Sequence, residues 1–133
     1  YLTKTANDIR ALRTPDVMVD SLPSLTAGLE HYQKNTENII AQAKAKNIQL
    51  IFITQATMWK PNLEPQYEKL MLTSGFENNE QFYTTEAFYH GMEAFNAKTI
   101  AICKENNIPC IALDLPKTTL FCLLPSINKY FQL

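Results

Sequence analysis

Glycine is scarce here, three in 133 residues. That leaves little room for a phosphate cradle, and no Gly-x-Gly-x-x-Gly or Walker pattern occurs. Histidine is scarcer still. His31 and His90 have no ligand spacing with each other or with the cysteines, so no zinc site or other metal site is expected. Cys103, Cys110 and Cys122 form an odd set without Cys-x-x-Cys spacing. Buried thiols in a reducing compartment fit them better than a disulfide or a metal centre. Charge of one sign is also missing. Twelve Lys and Arg against 13 Asp and Glu give a net charge of -1, which argues against the concentrated basic face that nucleic acid requires. No apolar run reaches the roughly 18 to 20 residues of a membrane helix. Leu50-Ile51-Phe52-Ile53, one of the longer ones, is strand-length. The chain starts at Tyr1 without a Met or a signal-peptide pattern, and the expectation is a fragment or a processed chain.

What is present reads as a folded α/β chain. An apolar content of 46% with 19% charge is that of an ordinary core-forming domain rather than a disordered segment, and the length suits one domain. Leu29, Tyr32, Thr36, Ile39, Ile40 and Ala43 recur at steps of three and four between charged residues. This spacing predicts an amphipathic helix from about Leu25 to Lys46. Asn47 follows, a residue that tolerates the left-handed conformation at a helix end. The run from Ile48 to Thr54 then predicts a strand covered on both faces. The same order recurs later. Phe88, Met92, Phe95, Thr99 and Ile102 mark one stripe of a helix from about Thr85 to Glu105, Asn106-Asn107 end it, and Ile108 to Asp114 reads as a second strand. Helix, Asn turn and buried strand, twice over, indicate parallel architecture. Between the repeats, Pro61 to Glu80 reads as a polar excursion with one short helix near Gln66 to Leu72. Gly91 lies inside the second helix, where a close helix contact or simple tolerance would explain it.

In an open parallel sheet, ligands bind beyond the carboxyl ends of the strands. Here those ends are Thr54-Gln55-Ala56-Thr57-Met58-Trp59 and Asp114-Leu115-Pro116. Gln55 offers donors and an acceptor, and Trp59 a broad apolar wall. The alternative is a tryptophan that packs onto its own domain.

Three segments resemble a bacterial branch of the SGNH (GDSL-like) ester hydrolases. Tyr32-Gln-Lys-Asn35 is similar to that branch's Tyr-x-x-Asn helix start. Thr54 to Trp59 is similar to its Thr-Gln-Pro-x-x-Trp strand exit. Gly91-Met92-Glu93-Ala94-Phe95-Asn96 is similar to its Gly-Met-x-x-Tyr-Asn helix. Cys103, Asp114 and Leu115-Pro116-Lys117 follow in the same order, so the resemblance spans roughly Tyr32 to Lys117. It implies a three-layer, flavodoxin-like α/β fold, incomplete at the N-terminus. It also implies hydrolysis of acyl or acetyl esters of lipids or carbohydrates through an acyl-enzyme, with no metal or organic cofactor.

That reaction needs a serine nucleophile from a Gly-Asp-Ser segment, aimed oxyanion donors, and a base with its carboxylate from Asp-x-x-His. The sequence contains neither segment. Ser21, Ser24, Ser74 and Ser126 are not preceded by Gly-Asp. Three residues before His31 and His90 stand Gly28 and Ala87, and no histidine follows His90. Thr5-Ala6-Asn7-Asp8 is similar to the family's Gly-x-Asn-Asp segment, with Thr in place of Gly. Asn7 is thus a candidate oxyanion donor, and a helix cap or turn is the alternative. After Thr119 the similarity stops and the composition turns apolar, as a frameshift, a fragmentary gene model or true divergence would produce.

The expectation is therefore a single partial SGNH-like domain over residues 1–133, inactive alone, with Asn7, Gln55 and Trp59 as candidate site residues. A small ester or related ligand is the expected partner, with no nucleic acid and no membrane span. Self-association through an exposed sheet edge is also expected. The competing reading is a non-catalytic α/β ligand-binding or interaction module. A weaker third, a nucleotide-binding domain, lacks the glycines it would need.

Overall fold

The way the two long helices end sets the architecture. The structure is a computed structural model that describes residues 11, 18–71 and 82–113. Its elements in chain order are β1 (Met18–Val19), α1 (Thr26–Ala45), β2 (Phe52–Ile53), α2 (Pro65–Glu68), β3 (Phe82–Tyr83), α3 (Thr85–Asn106) and β4 (Cys110–Ile111). At the end of α1, Asn47 takes φ 55°. Its N–H donates to Lys44 O, and the Ile48 N–H donates to Ala43 O at 2.9 Å. At the end of α3, Asn107 also takes φ 55°, its N–H donates to Lys104 O, and the Ile108 N–H donates to Cys103 O at 2.9 Å. Both are Schellman turns with Asn in the left-handed position and Ile one residue on. Asn reaches that conformation at less cost than most residues with a side chain, so each helix turns sharply into its strand.

The chain divides into two compact units, Tyr1–Ser24 with Thr57–Gly91 and Leu25–Ala56 with Met92–Leu133. The second contains α1, β2, β4 and most of α3. Its two strands pair in parallel, Phe52 opposite Cys110 and Ile53 opposite Ile111. Parallel strands in a mixed helix–strand chain are what the repeated helix–Asn–strand pattern predicts, and the general α/β class holds. The hydrogen-bonded strands are only two residues long, shorter than the apolar runs that contain them.

The burial of β2 departs from the sequence reading. Along 50–54 exposure alternates: Leu50 and Phe52 are half-buried and Thr54 is buried, while Ile51 and Ile53 are 47% and 55% exposed. Alternation means one covered face, because successive strand side chains point to opposite sides. The register puts Cys110 and the fully buried Ala112 on the same face as Phe52 and Thr54. Leu113, 54% exposed, shares the other face with Ile51 and Ile53. A run of apolar residues does not by itself distinguish the two cases.

The helix stripes follow the periodicity. In α1, Thr36, Ile40 and Ala43 are buried and Leu29 and Tyr32 half-buried, whereas Ile39 is exposed, one residue off the stripe's centre. Burying a side chain the size of Ile40 stabilises by about 1.5–3 kcal/mol. In α3, Ile102 and Cys103 are the largest fully enclosed side chains. The Tyr32 hydroxyl and Thr99 Oγ1 are 2.7 Å apart, and the Tyr32 ring meets Phe95 edge to face at 5.4 Å. Lys98 Nζ donates to Gln33 Oε1, which ties α1 to α3 at a third point. Thr36 and Thr99 donate their hydroxyls to the carbonyls four residues back, so these buried polar groups do not go unpaired.

The first unit holds β1, β3, α2 and the start of α3. Met18 and Val19 pair in parallel with Phe82 and Tyr83, two strands that no periodicity announces. Thr84 joins strand to helix. Its N–H donates to Val19 O, and its Oγ1 accepts the Ala87 N–H at 3.2 Å, an N-cap for α3. The short helix α2 starts with Pro65 at its first position, where the missing N–H costs nothing.

Candidate functional site

The carboxyl ends of β2 and β4 lie within one unit, and two side chains hold them in place. Asn96 of α3 is buried, 4% exposed. The Gln55 N–H donates to its Oδ1 at 2.8 Å, and its Nδ2 donates to Gln55 O at 2.9 Å. One amide thus reproduces the donor and acceptor pair of a neighbouring strand, and only this orientation of the amide satisfies both bonds. Thr54, also buried, uses its Oγ1 to accept the Leu113 N–H at 2.8 Å. Below these, the ladder continues with Thr54 N–H to Ile111 O and Phe52 N–H to Pro109 O. The backbone just past both strands is held by polar groups out of water, where leaving a donor or acceptor unmade costs about 1–3 kcal/mol.

This frame presents Gln55. Its backbone is clamped while its side chain is exposed, with Nε2 donating to Ala56 O at 3.1 Å. The chemistry available there is hydrogen bonding by a neutral amide, with no nucleophile or acid–base group on it.

Trp59 belongs to the other unit. Its N–H donates to Thr57 Oγ1 at 3.0 Å, a tight side-chain turn. Its ring is half-buried and lies 4.8 Å from Phe88, tilted by 32°. Phe88 in turn meets Tyr83 edge to face at 6.0 Å. The tryptophan is thus engaged in the packing of its own unit. Asn7, the third candidate, lies outside the described residues, as do Asp114 and Leu115-Pro116-Lys117.

Cys103 and Cys110 are thiols and are not in a disulfide. Cys103 is 2% exposed. Burial first, then the neighbouring Cys110 and a hydrogen bond between the two side chains, push its thiol up to about 12. That contact places α3 over the Cys110 and Ala112 face of the sheet. His90 is exposed, with Nε2 3.7 Å from Glu86 Oε1, and His31 is exposed too. Among the described residues no group of three His, Cys, Asp or Glu could hold a metal ion. No described helix is long and apolar enough to cross a membrane.

Asn96 and Thr54 are the positions that residue-by-residue reading undervalues. Each is a polar residue within an apolar stripe or run, and that misfit is the signal. A polar side chain survives in such a place when it has a backbone group to satisfy. Comparison of the chain with family models, with curated proteins and with solved structures finds no match in any of the three.

Proposed function

We propose that this chain carries the strand-and-helix frame of an SGNH-type ester hydrolase without its reacting groups. The observation that supports the reading is the meeting of the segments that bear the resemblance. Asn96, from Gly-Met-Glu-Ala-Phe-Asn, clamps the backbone of Gln55, from Thr-Gln-Ala-Thr-Met-Trp, through two hydrogen bonds. Tyr32, from Tyr-Gln-Lys-Asn, bonds Thr99 one turn beyond the same Asn-bearing segment. Two motifs far apart in sequence meet at one strand exit, where an α/β fold places its ligand site, and the third packs against the same helix. The exposed face of Ile51, Ile53 and Leu113 departs from the three-layer form, in which a parallel sheet has both faces covered.

The sequence holds no Gly-Asp-Ser and no Asp-x-x-His, so a serine cannot be activated in the family's manner. The chain therefore holds backbone for a site that binds small esters or related carbonyl ligands, and does not cleave them by itself. Trp59, stacked with Phe88, gives the separate binding-module reading no specific support. The apolar face of Ile51, Ile53 and Leu113 also fits self-association.

Hydrolysis of a short-chain chromogenic ester tests the reading. The 133-residue chain should show no turnover above buffer and no labelling by a serine-directed fluorophosphonate. Turnover that copurifies with the chain and is abolished by the fluorophosphonate would overturn it. Sedimentation at rising concentration should show dimers or larger species, and substitution of Ile51 and Ile53 by Lys should return it to monomer.

A further inference from the structure

We propose that Cys103 and Cys110 form a redox modification site, a thiol pair that a small disulfide of the glutathione class converts to a disulfide between α3 and β4. The inference is independent of the hydrolase reading. It starts from the sheet register. Cys110 shares a strand face with Ala112, which is fully buried, so its side chain lies on the covered side. Cys103 lies at the end of α3 on the stripe that covers that side, next to the buried Ile102, with Cys110 close enough to help raise its thiol. The backbone around them is fixed. The Ile108 N–H returns to Cys103 O through the Schellman turn, and the Phe52 and Thr54 N–H groups hold Pro109 O and Ile111 O on either side of Cys110. A helix end and a strand joined by one fixed turn, with both cysteines on the facing sides, bring the two thiols within reach of a bond formed by side-chain rotation.

The two cysteines differ in access, and this orders the chemistry. Cys110 is half-buried and Cys103 enclosed, so the reagent reaches Cys110 first. Its thiolate attacks one sulfur of the small disulfide, and a mixed disulfide forms as one small thiol leaves. Cys103, having lost its proton to solvent, then attacks the Cys110 sulfur. The mixed bond breaks, and the second small thiol leaves with a proton. Two protein thiols are oxidised and one small disulfide is reduced to two thiols, so electrons and protons balance. Burial disfavours the Cys103 thiolate, and that second step is therefore the slow one. It should quicken about tenfold per pH unit below the Cys103 pKa, in proportion to its thiolate fraction.

The sequence supplies a direct readout. Lys98, Lys104 and Lys117 bracket the two cysteines, so trypsin puts Cys103 in peptide 99–104 and Cys110 in peptide 105–117. The full chain carrying Cys122→Ser, which removes the third thiol, is incubated with oxidised glutathione, alkylated and digested. The expected result is a linked pair of these peptides, two hydrogens lighter than their sum and separated by a reductant. Its formation should accelerate with pH. Cys103→Ala should stop at a glutathione adduct on Cys110, and Cys110→Ser should give neither product. The proposal is overturned if the native chain keeps both thiols alkylatable. It is equally overturned if the native chain halts at the Cys110 adduct, or if the linked pair forms only in denaturant. The native-versus-denatured comparison uses the Cys122→Ser chain alone, so it decides the question even where Cys103→Ala fails to fold.

Discussion

The two units each hold a parallel strand pair, and they hold it differently. In the second, the strand ends are fixed by buried polar side chains, Asn96 on Gln55 and Thr54 on Leu113. In the first, what lies beyond the strands is held by aromatic packing, Trp59 on Phe88 on Tyr83, with Thr84 capping the helix that follows. The difference concerns how each arrangement fails. Aromatic contacts lose stability in proportion to area and packing. A buried amide that satisfies two backbone groups loses it abruptly, because both groups are left without partners inside the protein. An abrupt loss is therefore expected at Gln55 and a graded response to substitution around Trp59.

The sharpest way to break this contrast is Asn96→Ala, which strands the Gln55 N–H and C=O together and should cost about 2–4 kcal/mol. Urea titration followed by far-UV circular dichroism checks it. A cost below 1 kcal/mol would mean that water replaces the clamp, and the contrast would fall. Next in size is Phe88→Ala, with an expected loss of about 2–3 kcal/mol because Phe88 is only half-buried. Trp59 is the only tryptophan, so its emission should shift red in Phe88→Ala before any unfolding. It should stay unchanged in folded Asn96→Ala, which separates the two units by one probe. Thr54→Val keeps the shape but removes the acceptor for Leu113, for about 1–2 kcal/mol, and Thr54→Ser should restore most of it.

Smaller effects sharpen the picture of the second unit. At the left-handed Asn107, substitution by Ala should cost about 1 kcal/mol and by Gly almost nothing, and the same order should hold at Asn47. Alkaline pH bears on Cys103. Its folded pKa is raised to about 12 from 9.0, so above pH 9 the unfolded chain releases this proton while the folded chain keeps it. The stabilisation is complete below about pH 9 and is lost as pH rises toward 12. Cys103→Ala should flatten that alkaline decline in urea midpoints.

Part of this was legible in advance for a plain reason. Helix periodicity is local, and Leu29, Tyr32, Thr36, Ile40 and Ala43 sort by burial as a 3.6-residue repeat requires, with Ile39 the exception at the stripe's edge. The two Asn turns are local as well, because few residues besides Gly and Asn enter the left-handed region cheaply. The strands Met18–Val19 and Phe82–Tyr83 were not legible. Each is two residues long and exists through its pairing with the other, 64 residues apart in register.

The sequence by itself determined the helices, their ends, the strand-forming runs and the absence of the serine and Asp-x-x-His segments. These depend on residues a few positions apart, or on residues simply being present. Tertiary structure alone decided that β2 is covered on one face, that Asn96 clamps Gln55, that Trp59 stacks on Phe88, and that Cys103 meets Cys110. Each of these joins groups between 7 and 41 residues apart, or depends on which side of a sheet a helix lies. The hydrophobic effect that drives such packing is non-directional, so the choice of partner rests on how the elements fit together and which backbone groups must be paired.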